Sequence, residues 1–117
     1  MVMRRARWLS LILLSCLALV PSPASAANPV PGEPAGALIL YDSAPPYGWA
    51  GELHALHIAN LLGHFPLEST IAPVEAYSAG EIEDYAVTFY IGDVYDNPLP
   101  EAFLSDVMTT ERAVCWF

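Results

Sequence analysis

Carboxylates and flat aromatic rings fall close together at two places in this 117-residue chain: Asp42 with Tyr47 and Trp49, and Asp93 with Tyr95, with Tyr77 lying between the two groups in sequence. Rings that stack on the apolar face of a sugar, beside carboxylates that accept its hydroxyl protons, make a carbohydrate-binding cleft. Turns and helix caps use the same residue types, so the pattern gains meaning only from where the fold puts it. Asp42 and Asp93 could also do acid and base work, which depends on a separation the sequence does not fix.

The histidines offer a second chemistry. His54-x-x-His57 places two imidazoles on one helix face, as metal ligands are placed. Both fall among Leu53, Ile58 and Leu61, and no carboxylate or cysteine is positioned to complete a set, so they read as packed or hydrogen-bonded core side chains. His64 reads as a helix-end cation that offsets the dipole. Cys115 lies inside an apolar run and reads as core packing rather than as a nucleophile. There is no Gly-x-Gly-x-x-Gly, no Gly-x-x-x-x-Gly-Lys-Ser/Thr and no lysine at all, which argues against the common nucleotide-binding loops. No catalytic residue, metal ligand or cofactor site is expected in these residues.

The elements that must position these groups read as alternating strands and helices. Residues 37–41 (Ala-Leu-Ile-Leu-Tyr) form a continuous apolar run, the signature of a strand covered on both faces. A helix is expected over residues 50–65, with an apolar arc of Leu53, Leu56, Ile58, Leu61 and Leu62. Residues 69–74 suit a strand that Pro73 places near an edge, and residues 77–85 a solvated loop with about one helical turn. Residues 86–91 (Ala-Val-Thr-Phe-Tyr-Ile) are the clearest strand. A helix to Thr109 then starts at Pro100, with Phe103, Leu104, Val107 and Met108 as its buried stripe. Residues 113–117 make a fourth, buried-looking strand with no covering element after it. The fold class is therefore α/β: a small, mostly parallel, Rossmann-like or flavodoxin-like sheet of about four strands, expected to be completed beyond Phe117. In such sheets ligands meet the carboxyl ends of the strands, here residues 42–49, 76–77 and 92–97.

The first 26 residues have the design of an export signal: Arg4, Arg5 and Arg7, an apolar core from Trp8 to Val20, and the small residues Ala24-Ser25-Ala26. Lipid attachment through Cys16 is an alternative. Residues 27–36, rich in proline and glycine, read as a flexible leader, and residues 37–117 as the front part of the α/β domain. Cleavage after Ala26 leaves Arg112 alone against thirteen carboxylates, a formal −12. That charge argues against nucleic acid and anionic lipid surfaces as partners. It also leaves Cys115 as the single cysteine, so no internal disulfide is expected.

Taken as an ordered set, Tyr41-Asp42, Tyr47-Gly48-Trp49, residues 61–65 (Leu-Leu-Gly-His-Phe), residues 90–96 (Tyr-Ile-Gly-Asp-Val-Tyr-Asp) and residues 99–107 resemble an uncharacterised family of exported bacterial proteins related to polysaccharide deacetylases. The resemblance spans nearly all of the mature chain. It implies a longer protein, in which a Rossmann-like or amidotransferase-like front portion precedes a deacetylase-like barrel. Metal-dependent members of the wider group use an Asp-Asp pair and a His-x-x-x-His pair around a divalent ion. Neither pair occurs here, so no catalytic residue carries over. The expectation is an exported, periplasmic or extracellular domain that binds a polysaccharide or plays an architectural part. A carbohydrate esterase or hydrolase whose metal site lies beyond Phe117 is one alternative, and a non-catalytic periplasmic interaction protein is another.

Overall fold

The computed structural model describes residues 32–93 and 96–117. The expected export signal, Cys16, the start of the expected leader and Tyr95 lie outside the described residues.

Four strands form one parallel sheet: β1 (Ala37–Tyr41), β2 (Ser69–Pro73), β3 (Val87–Ile91) and β4 (Ala113–Trp116). Their order is β2-β1-β3-β4. Among the described residues the helices are α1 (Gly48–Leu62), between β1 and β2, and α2 (Glu101–Thr109), between β3 and β4. Two single 3-10 turns, Val74–Ala76 and Glu81–Asp84, carry the chain from β2 to β3. The expected α/β fold with a parallel sheet of four strands is thus observed. Travel from β1 to β2 uses the α1 face, whereas travel from β2 to β3 and on to β4 uses the other, as connections of a single hand require.

The β1 run is central because its side chains are apolar on both faces. Leu38 and Leu40 point into one layer with Val74, Tyr77, Ile82, Tyr90 and Phe103, which α2 and the 3-10 turns cover. Ile39 points into the other with Ala55 and Ile91, which α1 covers. Removing each of these large side chains from water contributes about 1.5–3 kcal/mol. Pro73 closes edge strand β2 at its final residue, where a missing N–H does no harm to a ladder.

Several expectations change. The buried side of α1 is Gly51 and Ala55, flanked by the partly buried Ile58, Ala59 and Leu62, while Leu53, Leu56 and Leu61 face solvent. Small residues at 51, 55 and 59 let the helix close on the sheet, and close approach decides the buried face over side-chain size. A Cβ on Gly51 would lie 2.5 Å from the Asp42 carbonyl oxygen, so only glycine lets the first turns of α1 sit on the end of β1. His54 and His57 are consequently exposed rather than in the core. On α2, Phe103 is buried and Val107 packs beside it, but Leu104 and Met108 point outward. Pro100 precedes the first helical residue and caps it in extended backbone. Strand β4 is an edge strand, so Cys115 is only partly buried and Trp116 and Phe117 are exposed.

Candidate functional site

The carboxyl edge of the sheet brings the loops after β1 and β3 side by side, because these strands pair with Tyr41 opposite Ile91. The order reverses here: the chain leaves β1 toward β2 on one side and returns to β3 on the other, which is the crevice where ligands of open α/β sheets collect. The backbone N–H of Asp42 still donates to the Ile91 carbonyl at 2.9 Å, and that of Gly92 to the Phe117 carbonyl at 3.1 Å, so the ladder runs up to the rim.

Strand alternation sends the two expected carboxylates to opposite faces. Asp42 shares the side of Leu40. Its Oδ1 accepts from the Asn97 amide at 2.6 Å and from the Ala44 backbone N–H at 3.0 Å. The side chain is fully buried, and its Oδ2 has no hydrogen-bond partner among the described residues. A ligand therefore cannot reach Asp42 in this arrangement; its work is to tie the turn after β3 to the turn after β1. Asp93 shares the side of Ile91 and leans on α1, where its Oδ2 lies 3.3 Å from His54 Nδ1. This pair is accessible, with the His54 side chain 52 % and the Asp93 side chain 21 % exposed.

The remaining expected residues divide as follows. Tyr47, the residue before α1, and Trp49, in its first turn, stand at the rim with 56 % and 67 % exposure. Tyr77 goes elsewhere: it is buried against Phe103, with ring centroids 5.2 Å apart, and donates its hydroxyl proton to Asp106 on α2 at 2.7 Å. Burial first and that hydrogen bond second push its phenol up to about 12. The Gly80 N–H and the Tyr77 hydroxyl together hold the Asp106 carboxyl below the usual range. Tyr47 and Trp49 thus stand exposed at the start of α1 and Asp93 stays accessible after β3, all at this edge of the sheet, with Asp42 beneath it as a positioning residue.

Side chains that sequence reasoning did not select complete the arrangement. His54 partners Asp93, and Asn97 partners Asp42. The Ser43 hydroxyl donates to Glu75 at 2.9 Å, bracing the loop after β1 against the end of β2. Tyr90 lies below the rim, and its phenol is pushed up to about 12, by burial foremost and then by the charges of Asp42, Glu75 and Asp93. Nothing in the spacing of residues 54 and 93, or 42 and 97, marks them as partners; the strand register creates both pairs.

Compared with known proteins, the chain matches no family model, no curated protein and no solved structure. What the site can do therefore rests on its own geometry. Among the described residues no three His, Cys, Asp or Glu side chains gather into a set able to hold a metal ion. The His54 and His57 rings lie 6.5 Å apart and tilted by 44°. What this edge offers is two exposed rings at the start of α1 and an accessible carboxylate paired with an imidazole whose other nitrogen, Nε2, is free of that carboxylate.

Proposed function

We propose that this chain is an exported, carbohydrate-binding domain of a polysaccharide-deacetylase-like protein, and that its ligand meets the carboxyl edge of the sheet at Tyr47, Trp49 and Asp93. The observation that carries this reading is the pair of exposed rings at the start of α1, at the edge of the sheet where the strand order reverses and where Asp93 also stays accessible. A sugar ring stacked on Trp49 or Tyr47 would hide apolar surface that now faces water, and Asp93 would accept a hydrogen bond from a sugar hydroxyl while His54 holds the carboxylate in place. Asp42 and Asn97 fix the turn that carries Asp93, so they act on binding through geometry. Export follows from the arginine-rich, apolar, small-residue design of the first 26 residues.

Calorimetric titration of the mature chain with a panel of soluble bacterial polysaccharides tests this. At least one should bind, and Trp49→Ala should weaken it about tenfold, the value of one good aromatic stack at roughly 1.4 kcal/mol. Absence of heat with every polysaccharide, or undiminished binding by a Tyr47→Ala/Trp49→Ala double variant, would overturn the reading.

A further inference from the structure

We infer that His54 sets which polysaccharides this edge of the sheet accepts, and that its charge reverses the choice: neutral, it favours hydroxyl-rich sugars, and protonated, it favours sugars that carry a carboxylate. The inference rests on the reading of Asp93 as an acceptor for the ligand. His54, His57 and Asp93 are the polar side chains in the lining of an accessible cavity of about 510 Å³, whose other side chains are apolar. That volume falls in the range of ligand pockets, about 300–1,000 Å³. A ligand entering it meets its polar side-chain partners at these three groups. His54 Nδ1 lies 3.3 Å from Asp93 Oδ2, while the His57 ring stands 6.5 Å from that of His54.

An ionised carboxylate only accepts hydrogen bonds, so the bond to Asp93 fixes the proton of a neutral His54 on Nδ1 and leaves a lone pair on Nε2. The pair then offers acceptors alone, Nε2 and the remaining lone pairs of Asp93, and its net charge is negative. Sugar hydroxyls satisfy that set as donors. A uronic acid carboxylate does not, because it brings a further acceptor and a like charge. A second proton on His54 turns Nε2 into a charged donor and cancels the charge of the pair. The uronic acid then gains a charge-assisted partner, and a hydroxyl donor has lost one acceptor.

Other groups on this side of the molecule do not supply that change. The titratable side chains on its elements, besides His54 and Asp93, are Glu52 and His57 on α1, His64 just after it, Tyr41 on β1, Glu75 after β2 and Cys115 on β4. Of these the histidines alone become positive, and neither His57 nor His64 is bonded to Asp93 among the described residues. Arg112, the sole Lys or Arg among the described residues, stands before β4 at the opposite edge of the sheet, 3.5 Å from Glu83.

The test extends the calorimetric panel to matched pairs: each acidic bacterial polysaccharide beside the same polymer after its uronic acids have been reduced to neutral sugars. Both are titrated into the mature chain at pH 8 and pH 5.5, an interval over which histidine changes charge and uronic acids stay ionised. For at least one pair, the affinity of the acidic form relative to the reduced form should rise about tenfold or more on going to pH 5.5. His54→Asn keeps a donor near the place of Nδ1 but takes no charge, so it should hold that ratio constant, whereas His57→Asn should leave the rise in place. By linkage, saturating acidic polymer should move the His54 ring titration, followed by NMR, to higher pH, and the reduced form should not. Silence from every polymer at both pH values would remove the sugar reading and this inference with it. A ratio that does not move with pH, or that moves as far in His54→Asn as in the unaltered chain, would overturn this inference and leave the sugar reading standing.

Discussion

The two faces of the sheet are built from similar materials and end in opposite states. On the α2 face, Phe103 fills the centre and packs against Tyr77, Tyr90 and Trp116 at centroid distances of 5.2, 5.4 and 5.9 Å. The polar groups at its margin are tied to one another: Tyr77 to Asp106, Asp106 to the Gly80 N–H, and the Tyr77 hydroxyl to the Ile82 N–H. On the α1 face, the helix closes tightly over Gly51 and Ala55 but stops short of β4, so Phe89 is only partly covered and Phe117 is exposed. The first face is closed over β1 and β3, with Trp116 at its edge half exposed and Asp42 Oδ2 and Thr88 Oγ1 buried without a partner among the described residues. The second is half core and half surface, and its polar residues, His54 and Asp93, stay within reach of solvent at the rim. Apolar composition alone therefore does not make a core; a layer has to be present above it.

The largest expected effect breaks this comparison at its centre. Phe103→Ala should cost about 3–5 kcal/mol of stability, whereas Leu61→Ala, an equally apolar residue on the other helix, should stay within about 0.5 kcal/mol. Urea denaturation followed by circular dichroism measures both, and comparable losses would mean that the α1 face is as fully packed as the α2 face.

A smaller contrast sharpens the picture at the rim, where each face contributes one carboxylate. Asn97→Ala removes the 2.6 Å donor to fully buried Asp42 and should cost about 1–3 kcal/mol, because a buried acceptor loses a partner. His54→Ala removes the donor to accessible Asp93 and should change stability by no more than about 0.5 kcal/mol. The same denaturation series decides between a positioning role for Asp42 and a rim role for Asp93.

The smallest effect is a pH dependence confined to the α2 face. The Asp106 carboxyl is held below its ordinary range, chiefly by the Gly80 N–H and then by the Tyr77 hydroxyl. Its contribution is therefore present above the unfolded-state value of about 4 and is lost as pH falls through the depressed folded-state value. Urea midpoints measured from pH 6 down to pH 2 should fall in the acid range, and Asp106→Asn should make that fall shallower. An unchanged slope would remove the clamp from the account of this face.

Much of the fold was legible in the residues. The continuous apolar run at 37–41, the β-branched and aromatic run at 86–91, the turn residues between them and Pro73 at the last position of its strand give the element order and an edge position without reference to any contact. The buried side of α1 was less legible, because Leu53, Leu56 and Leu61 outweigh Gly51, Ala55 and Ala59 in any reading by hydrophobicity. What the small residues provide is proximity, which exists only once a sheet is there to approach. The same holds for α2, where Leu104 and Met108 carry the apolar character of the stripe yet have no layer above them.

For the candidate site, sequence placed Asp42, Tyr47, Trp49 and Asp93 at the carboxyl ends of strands, because hydrophobic runs end where polar turns begin and that boundary is local. It could not say that Asp42 would be sealed under the rim while Asp93 stayed open, since this depends on which face each residue takes once Tyr41 and Ile91 are in register. Nor could it pair His54 with Asp93 across 39 positions. Local backbone preference and apolar periodicity determined the elements and their ends; the register between strands and the closeness of each helix decided which side chains meet, because both are settled by packing among segments far apart in the chain.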